Sequence, residues 1–247
     1  MRIWITAAAS AAVLCAVAGA SYLPLAAVVT IVCAASVAAG IGWPLLLAVP
    51  ARKTLAAVIS LAGVAAALLA AAAPETMAMQ WTVVVVALAV MVVFVIQLLR
   101  GTGQPHRLES TFGASTGAAL AALGAGWVAS ERLGVNASDS SLTLVTAVSM
   151  LFAVAACVLP WPDRLVAPLG VVLAALAGGV GAALFSAVPL WPAVLVGAVM
   201  GTVVVCFRRL TLAGGTPDQV PALVSAGLMP VLAAGSLVYP LERLLIH

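Results

Sequence analysis

Apolar runs of about twenty residues recur nine times between Ile3 and Pro240, and nothing else in the chain constrains its fold as strongly. A hydrocarbon core about 30 Å thick needs roughly 20 apolar residues per crossing helix. On that ruler the spans fall at residues 3–20, 23–41, 54–73, 81–99, 110–129, 142–160, 165–185, 190–207 and 221–240. In lipid each segment must close its own backbone hydrogen bonds, so the spans are predicted to be helices. Period-2 alternation is nearly missing, which argues against an outer-membrane barrel. The expected class is therefore an all-α, polytopic transmembrane bundle. Its loops are too short for a second domain, so residues 1–247 read as one integral membrane domain.

Composition agrees: 65% of the residues are apolar and 7% charged, against roughly a quarter charged in an average soluble domain. That excludes a soluble globular domain, a disordered chain and a nucleic-acid-binding module. Nine of the ten basic residues are Arg, with Lys53 alone, and the chain is rich in Ala and Val. This bias suggests a bacterial protein and hence the cytoplasmic membrane. Arg2 followed by apolar residues to Ala20 could imitate a signal peptide. The small-residue context at Ala18 and Ala20 is weak, so a retained first helix is expected.

Two patterns set the topology. With the N-terminus in the cytoplasm, alternation places Arg2, Arg52, Lys53, Arg100, Arg107, Arg164, Arg208 and Arg209 inside, leaving Arg132 and Arg243 outside. Such a bias is the positive-inside rule. All six tryptophans (Trp4, Trp43, Trp81, Trp127, Trp161 and Trp191) lie at span ends, as do Tyr22 and Tyr239, where amphipathic rings meet the headgroups. Gly42-Trp43-Pro44 is expected to end the second helix, with Leu45 to Val49 lying along the interface. Pro230, between Pro221 and Pro240, predicts a kinked or broken last helix.

Small residues mark the packing seams, because helices in lipid associate by close backbone approach. Gly113 and Gly117 form one such pair, Gly197 and Gly201 a second, and Gly178 continues a third series from Gly170. They fit either packing within the chain or a dimer interface. Cys15, Cys33, Cys157 and Cys206 lack CxxC or Cys–His spacing, so they read as small buried packing residues. No metal site and no cofactor is expected.

Chemistry-bearing residues are sparse. All seven acids map to loops or span ends, which weighs against a pump built on a buried carboxylate. Gln97 reads as an interfacial hydrogen-bonding residue. Arg100, His106 and Arg107 lie on one cytoplasmic loop and are candidates for lipid phosphate, with Glu109 and Ser110 capping the next helix. Further on, Arg208-Arg209 ends the eighth span, Gly214, Gly215 and Pro217 break the chain, and Asp218 precedes the helix opened by Pro221. A paired arginine beside a helix N-terminus is a phosphate-site candidate.

Arg208-Arg209, Asp218 and the final helix from Gly227-Leu228-Met229 to Tyr239-Pro240-Leu241 resemble the C-terminal part of the CDP-diacylglycerol synthase (phosphatidate cytidylyltransferase) family. That resemblance implies a basic pair, a short acidic loop and a last hydrophobic helix serving a phospholipid-biosynthesis enzyme. The family's second basic-acidic step, its His-Gly-Gly element and the following Asp-Arg have no counterpart; Gln219 to Ala226 stand there instead. The metal-binding carboxylates would then be gone, and nucleotide transfer with them.

The expected function is a non-catalytic membrane protein, lipid-interacting or an accessory subunit, with the bilayer and other membrane subunits as partners. A small-solute permease is the alternative, resting on the broken last helix. A cytidylyltransferase-type enzyme, resting on the resemblance, comes third.

Overall fold

The computed structural model describes residues 2–49, 52–74, 77–100, 107–136, 142–185, 188–215 and 218–245. Ten helices follow in order: α1 (Arg2–Ala20), α2 (Leu25–Leu46), α3 (Arg52–Ala72), α4 (Gln80–Leu99), α5 (Arg107–Leu123), α6 (Ala125–Asn136), α7 (Leu142–Val158), α8 (Asp163–Phe185), α9 (Leu190–Ala213) and α10 (Val220–Leu245). The chain is an all-α, multi-pass bundle. Among the described residues, eight segments are long and apolar enough to cross a membrane, α5 and α6 counting as one, and α7 is a shorter apolar helix.

α10 is the most buried span and holds the bundle together. It packs against α1, α2, α5, α6 and α9, and so lies between α2–α6 and the α7–α8–α9 group. Glycines make these approaches possible. A methyl group at Gly42 would overlap the Pro221 carbonyl, one at Gly126 the Gly235 carbonyl, and one at Gly227 the Thr6 carbonyl. The seams anticipated from sequence also close within the chain. Gly113 and Gly117 face the end of α2, where Leu47, just past the helix, and Trp43 within it fill the space a side chain would take. Gly178, Gly197 and Gly201 join α8 to α9. A methyl at Gly178 would sit 2.5 Å from the Ala193 carbonyl oxygen, and one at Gly201 would sit 2.7 Å from the Ala174 Cβ.

Several expectations need correction. α2 does not stop at Gly42-Trp43-Pro44 but continues to Leu46, with Pro44 buried inside it. Proline removes a donor only at its own position, and the following N–H groups still close, Leu47 onto Trp43 and Val49 onto Pro44 (3.0 Å). The turn comes at Ala48, whose φ of 51° leaves the helical region.

The last helix is unbroken from Val220 to Leu245, through Pro230 and Pro240. Proline's φ suits a helix, and neighbours packed around α10 hold the segment where one bond is missing. The interruption lies in the fifth span instead, at Gly124 between α5 and α6. There the Gly124 N–H turns back to Ala121 at 3.2 Å, and the lack of a side chain admits Leu232 of α10.

Nor do all the aromatic rings belong to an interfacial belt. Trp4, Trp81, Trp161, Trp191 and Tyr22 are exposed, but Trp43, Trp127 and Tyr239 are buried. Trp43 donates its indole N–H to the Gly113 carbonyl at 2.8 Å, and Trp127 donates to Val231 at 2.8 Å. They are anchors between helices. Of the cysteines, Cys157 is buried while Cys15 and Cys206 are exposed, so packing explains only some of them.

Candidate functional site

α9 runs six residues beyond its expected end, to Ala213, so Arg208 and Arg209 belong to its closing turns. α8 begins beside them with Asp163, an acid at a helix start, where the dipole favours it. The two arginines share this one carboxylate. Arg208 donates through Nη1 to Oδ1, and Arg209 donates through Nε to Oδ2 at 2.8 Å. Arg208 is the more buried, with 17% of its side chain exposed against 55% for Arg209. The acid anticipated for this pair was Asp218; that residue stands exposed in the turn before α10.

Arg208 also lines a partly enclosed groove between α1, α7, α9 and α10, with a cavity volume of about 100 Å³. Ile3 and Ala7 of α1, Val154 of α7, Phe207 of α9, and Leu223 and Pro230 of α10 make those walls. Of the hydroxyls along it, Ser10 donates to the Gly227 carbonyl at 2.7 Å, and Thr211 is turned onto the Phe207 carbonyl. Thr6 also lines it, and the groove is otherwise apolar with a cation at Arg208.

At the same end of the bundle, Gln97 donates to the Ser110 hydroxyl at 2.6 Å, both side chains buried. Ser110 therefore lies inside α5 and bridges to α4 rather than capping the helix. Arg107 opens α5, and Arg100 closes α4 with its Nη1 buried and without a hydrogen-bond partner. His106 lies outside the described residues.

A second polar cluster, not anticipated, sits at the opposite end. Glu131 and Glu242 are at span ends as expected, but both are buried, at 8% and 1% exposure. Ser130 donates to the Glu242 carboxylate, Thr143 hydrogen-bonds Glu131, and the two carboxylates are near enough to interact. Arg132, placed outside by the charge pattern, donates through Nη1 to the carbonyls of Ala70 (2.9 Å) and Ala73. It thereby caps α3, whose last carbonyls have no helical partner. The available signal was spacing: Trp127, Ser130 and Glu131 recur at three- and four-residue intervals and so share one helix face. Among the described residues, no group of three or more His, Cys, Asp and Glu is placed to hold a metal ion.

Comparisons with protein families, with curated proteins and with solved structures returned no match. The site must be interpreted from its own geometry.

Proposed function

We propose that this is a non-catalytic, lipid-interacting protein of the bacterial cytoplasmic membrane. One observation carries the proposal: the groove bounded by α1, α7, α9 and α10, apolar along its walls and ending at Arg208. Pockets that orient amphiphiles combine an apolar lining with a few placed polar groups, and this groove has that character. The test is lipid retention. Native mass spectrometry of the protein in a delipidating detergent is expected to find lipid held by the wild type. Ala7→Trp, which narrows the groove from the little-buried α1, is expected to lose it. Equal retention by both proteins would refute the proposal.

A permease is the second reading, favoured by a different observation. Buried ionisable groups and interrupted helices line substrate and ion paths in transporters. Here Glu131 and Glu242 are buried near the segment interrupted at Gly124. Solute uptake by proteoliposomes, lost in Glu131→Ala, would support it. The cytidylyltransferase reading rests on the C-terminal resemblance alone, and CTP turnover abolished by Asp218→Asn would support it.

A further inference from the structure

We infer that the groove selects its lipid by headgroup, its walls taking one acyl chain of an anionic phospholipid while Arg208 holds the phosphate. This rests on the lipid-holding function proposed above and adds the headgroup chemistry and the residue that reads it.

Depth limits the occupant. Leu223 and Pro230 line the same groove from seven residues apart on α10, so it reaches about 10 Å along the helix axis. One leaflet contributes about 15 Å, half of a 30 Å core. The groove therefore suits a chain entering from one leaflet, not a molecule spanning the membrane. By the positive-inside pattern that leaflet is the cytoplasmic one.

Polarity limits it further. Ser10 and Thr211 spend their hydroxyl protons on backbone carbonyls, leaving a guanidinium as the charged donor facing the space. An acyl chain meets walls that are apolar save for Thr6 and Cys157, and an oxyanion meets Arg208.

Charge then chooses the headgroup. Two guanidinium groups share the single carboxylate of Asp163, which neutralises one of them. Its two oxygens are divided, Oδ1 to Arg208 and Oδ2 to Arg209. Arg208 can pass to a phosphate while Arg209 keeps Asp163 paired, so the exchange leaves no carboxylate without a partner. A guanidinium matches phosphate geometry with two parallel N–H donors, and such charge-assisted bonds are about twice as strong as neutral ones. A zwitterionic headgroup carries its own cation and gains less from the surplus charge.

The experiment reconstitutes the full-length protein in nanodiscs of equimolar phosphatidylglycerol and phosphatidylcholine. Lipid retained after transfer to detergent is then measured by native mass spectrometry. The wild type is expected to retain phosphatidylglycerol in about tenfold excess. Arg208→Gln should still hold one lipid but with the excess gone, Arg208→Lys should keep part of it, and Arg209→Gln, which leaves Arg208 as the one partner of Asp163, should lose most of it. If Arg208→Gln fails to fold, Asp163→Asn keeps both guanidinium groups, releases them from the shared carboxylate, and should raise the excess.

Equal retention of the two lipids by the wild type, or an undiminished excess in a folded Arg208→Gln, would overturn the headgroup inference. An excess unchanged or lowered by Asp163→Asn would do so as well. Lipid holding would survive any of these results so long as Ala7→Trp releases the lipid. Equal total retention by Ala7→Trp and the wild type would refute lipid holding itself.

Discussion

Trp127 donates its indole N–H to the Val231 carbonyl at 2.8 Å, tying α6 to the middle of the buried α10. Phe at this position would keep most of the ring volume and remove the bond between the helices, at a cost of about 0.5–1.5 kcal/mol. Ala would add a cavity, for a total of about 3–5 kcal/mol. Thermal unfolding in detergent should rank the proteins wild type, Trp127→Phe, Trp127→Ala. A Phe variant as stable as the wild type would show that the bond contributes nothing.

At the far end of α10, Glu242 accepts from Ser130 in an apolar setting. Gln would retain an oxygen for that bond and remove a charge that such surroundings penalise. Glu242→Gln should therefore be at least as stable as the wild type, while Ser130→Ala should lose about 1–3 kcal/mol. Unfolding curves in which Glu242→Gln melts below the wild type would contradict this.

Arg132 closes the end of α3 through the carbonyls of Ala70 and Ala73. Its removal leaves partly buried acceptors without a donor, so Arg132→Ala should cost about 1–3 kcal/mol. Lys offers one compact ammonium in place of a fork and should restore only part of the loss. Hydrogen exchange at the last turn of α3 provides the measurement, with faster exchange in Arg132→Ala and an intermediate rate in Arg132→Lys.

Backbone contact at the glycine seams leaves no room for a side chain. A methyl at Gly197 already overlaps the Ala174 carbonyl, and one at Gly117 the Trp43 ring. Gly197→Leu and Gly117→Leu are expected to reduce the monodisperse fraction in gel filtration severely. Val83→Leu, at a site 73% exposed, should leave it unchanged. Similar elution profiles for all three would mean that the seams are not close-packed.

Orientation can be read by labelling. In a background lacking the four native cysteines, Leu210→Cys and Leu244→Cys place thiols on exposed positions near opposite ends of the bundle. A membrane-impermeant maleimide added to intact cells should reach residue 244 and not residue 210. The reverse pattern would invert the topology.

The helical spans were legible because hydrocarbon imposes one dominant rule, about twenty apolar residues per crossing, although the span over 142–160 forms a helix shorter than that. Interruptions were less legible. Pro230 carries a strong breaking signal that tertiary packing overrides, whereas Gly124 carries a weak one that the approach of Leu232 makes effective. At the candidate site, Arg208 and Arg209 were identifiable from charge at a span end. Their shared partner was not, because Asp163 is more than forty residues away and only the pairing of α8 with α9 brings it near. Glu131 and Glu242 were placed correctly along their helices, but burial depends on which face meets α7 and α10. Apolar runs this continuous hide that choice.

The most direct measurement is a density map of the wild-type protein in nanodiscs containing phosphatidylglycerol. It should show an elongated density between α1 and α9, with a headgroup within hydrogen-bonding distance of Arg208 and with Asp163 still paired to Arg209. A groove empty of lipid, with both arginines on Asp163, would contradict the account.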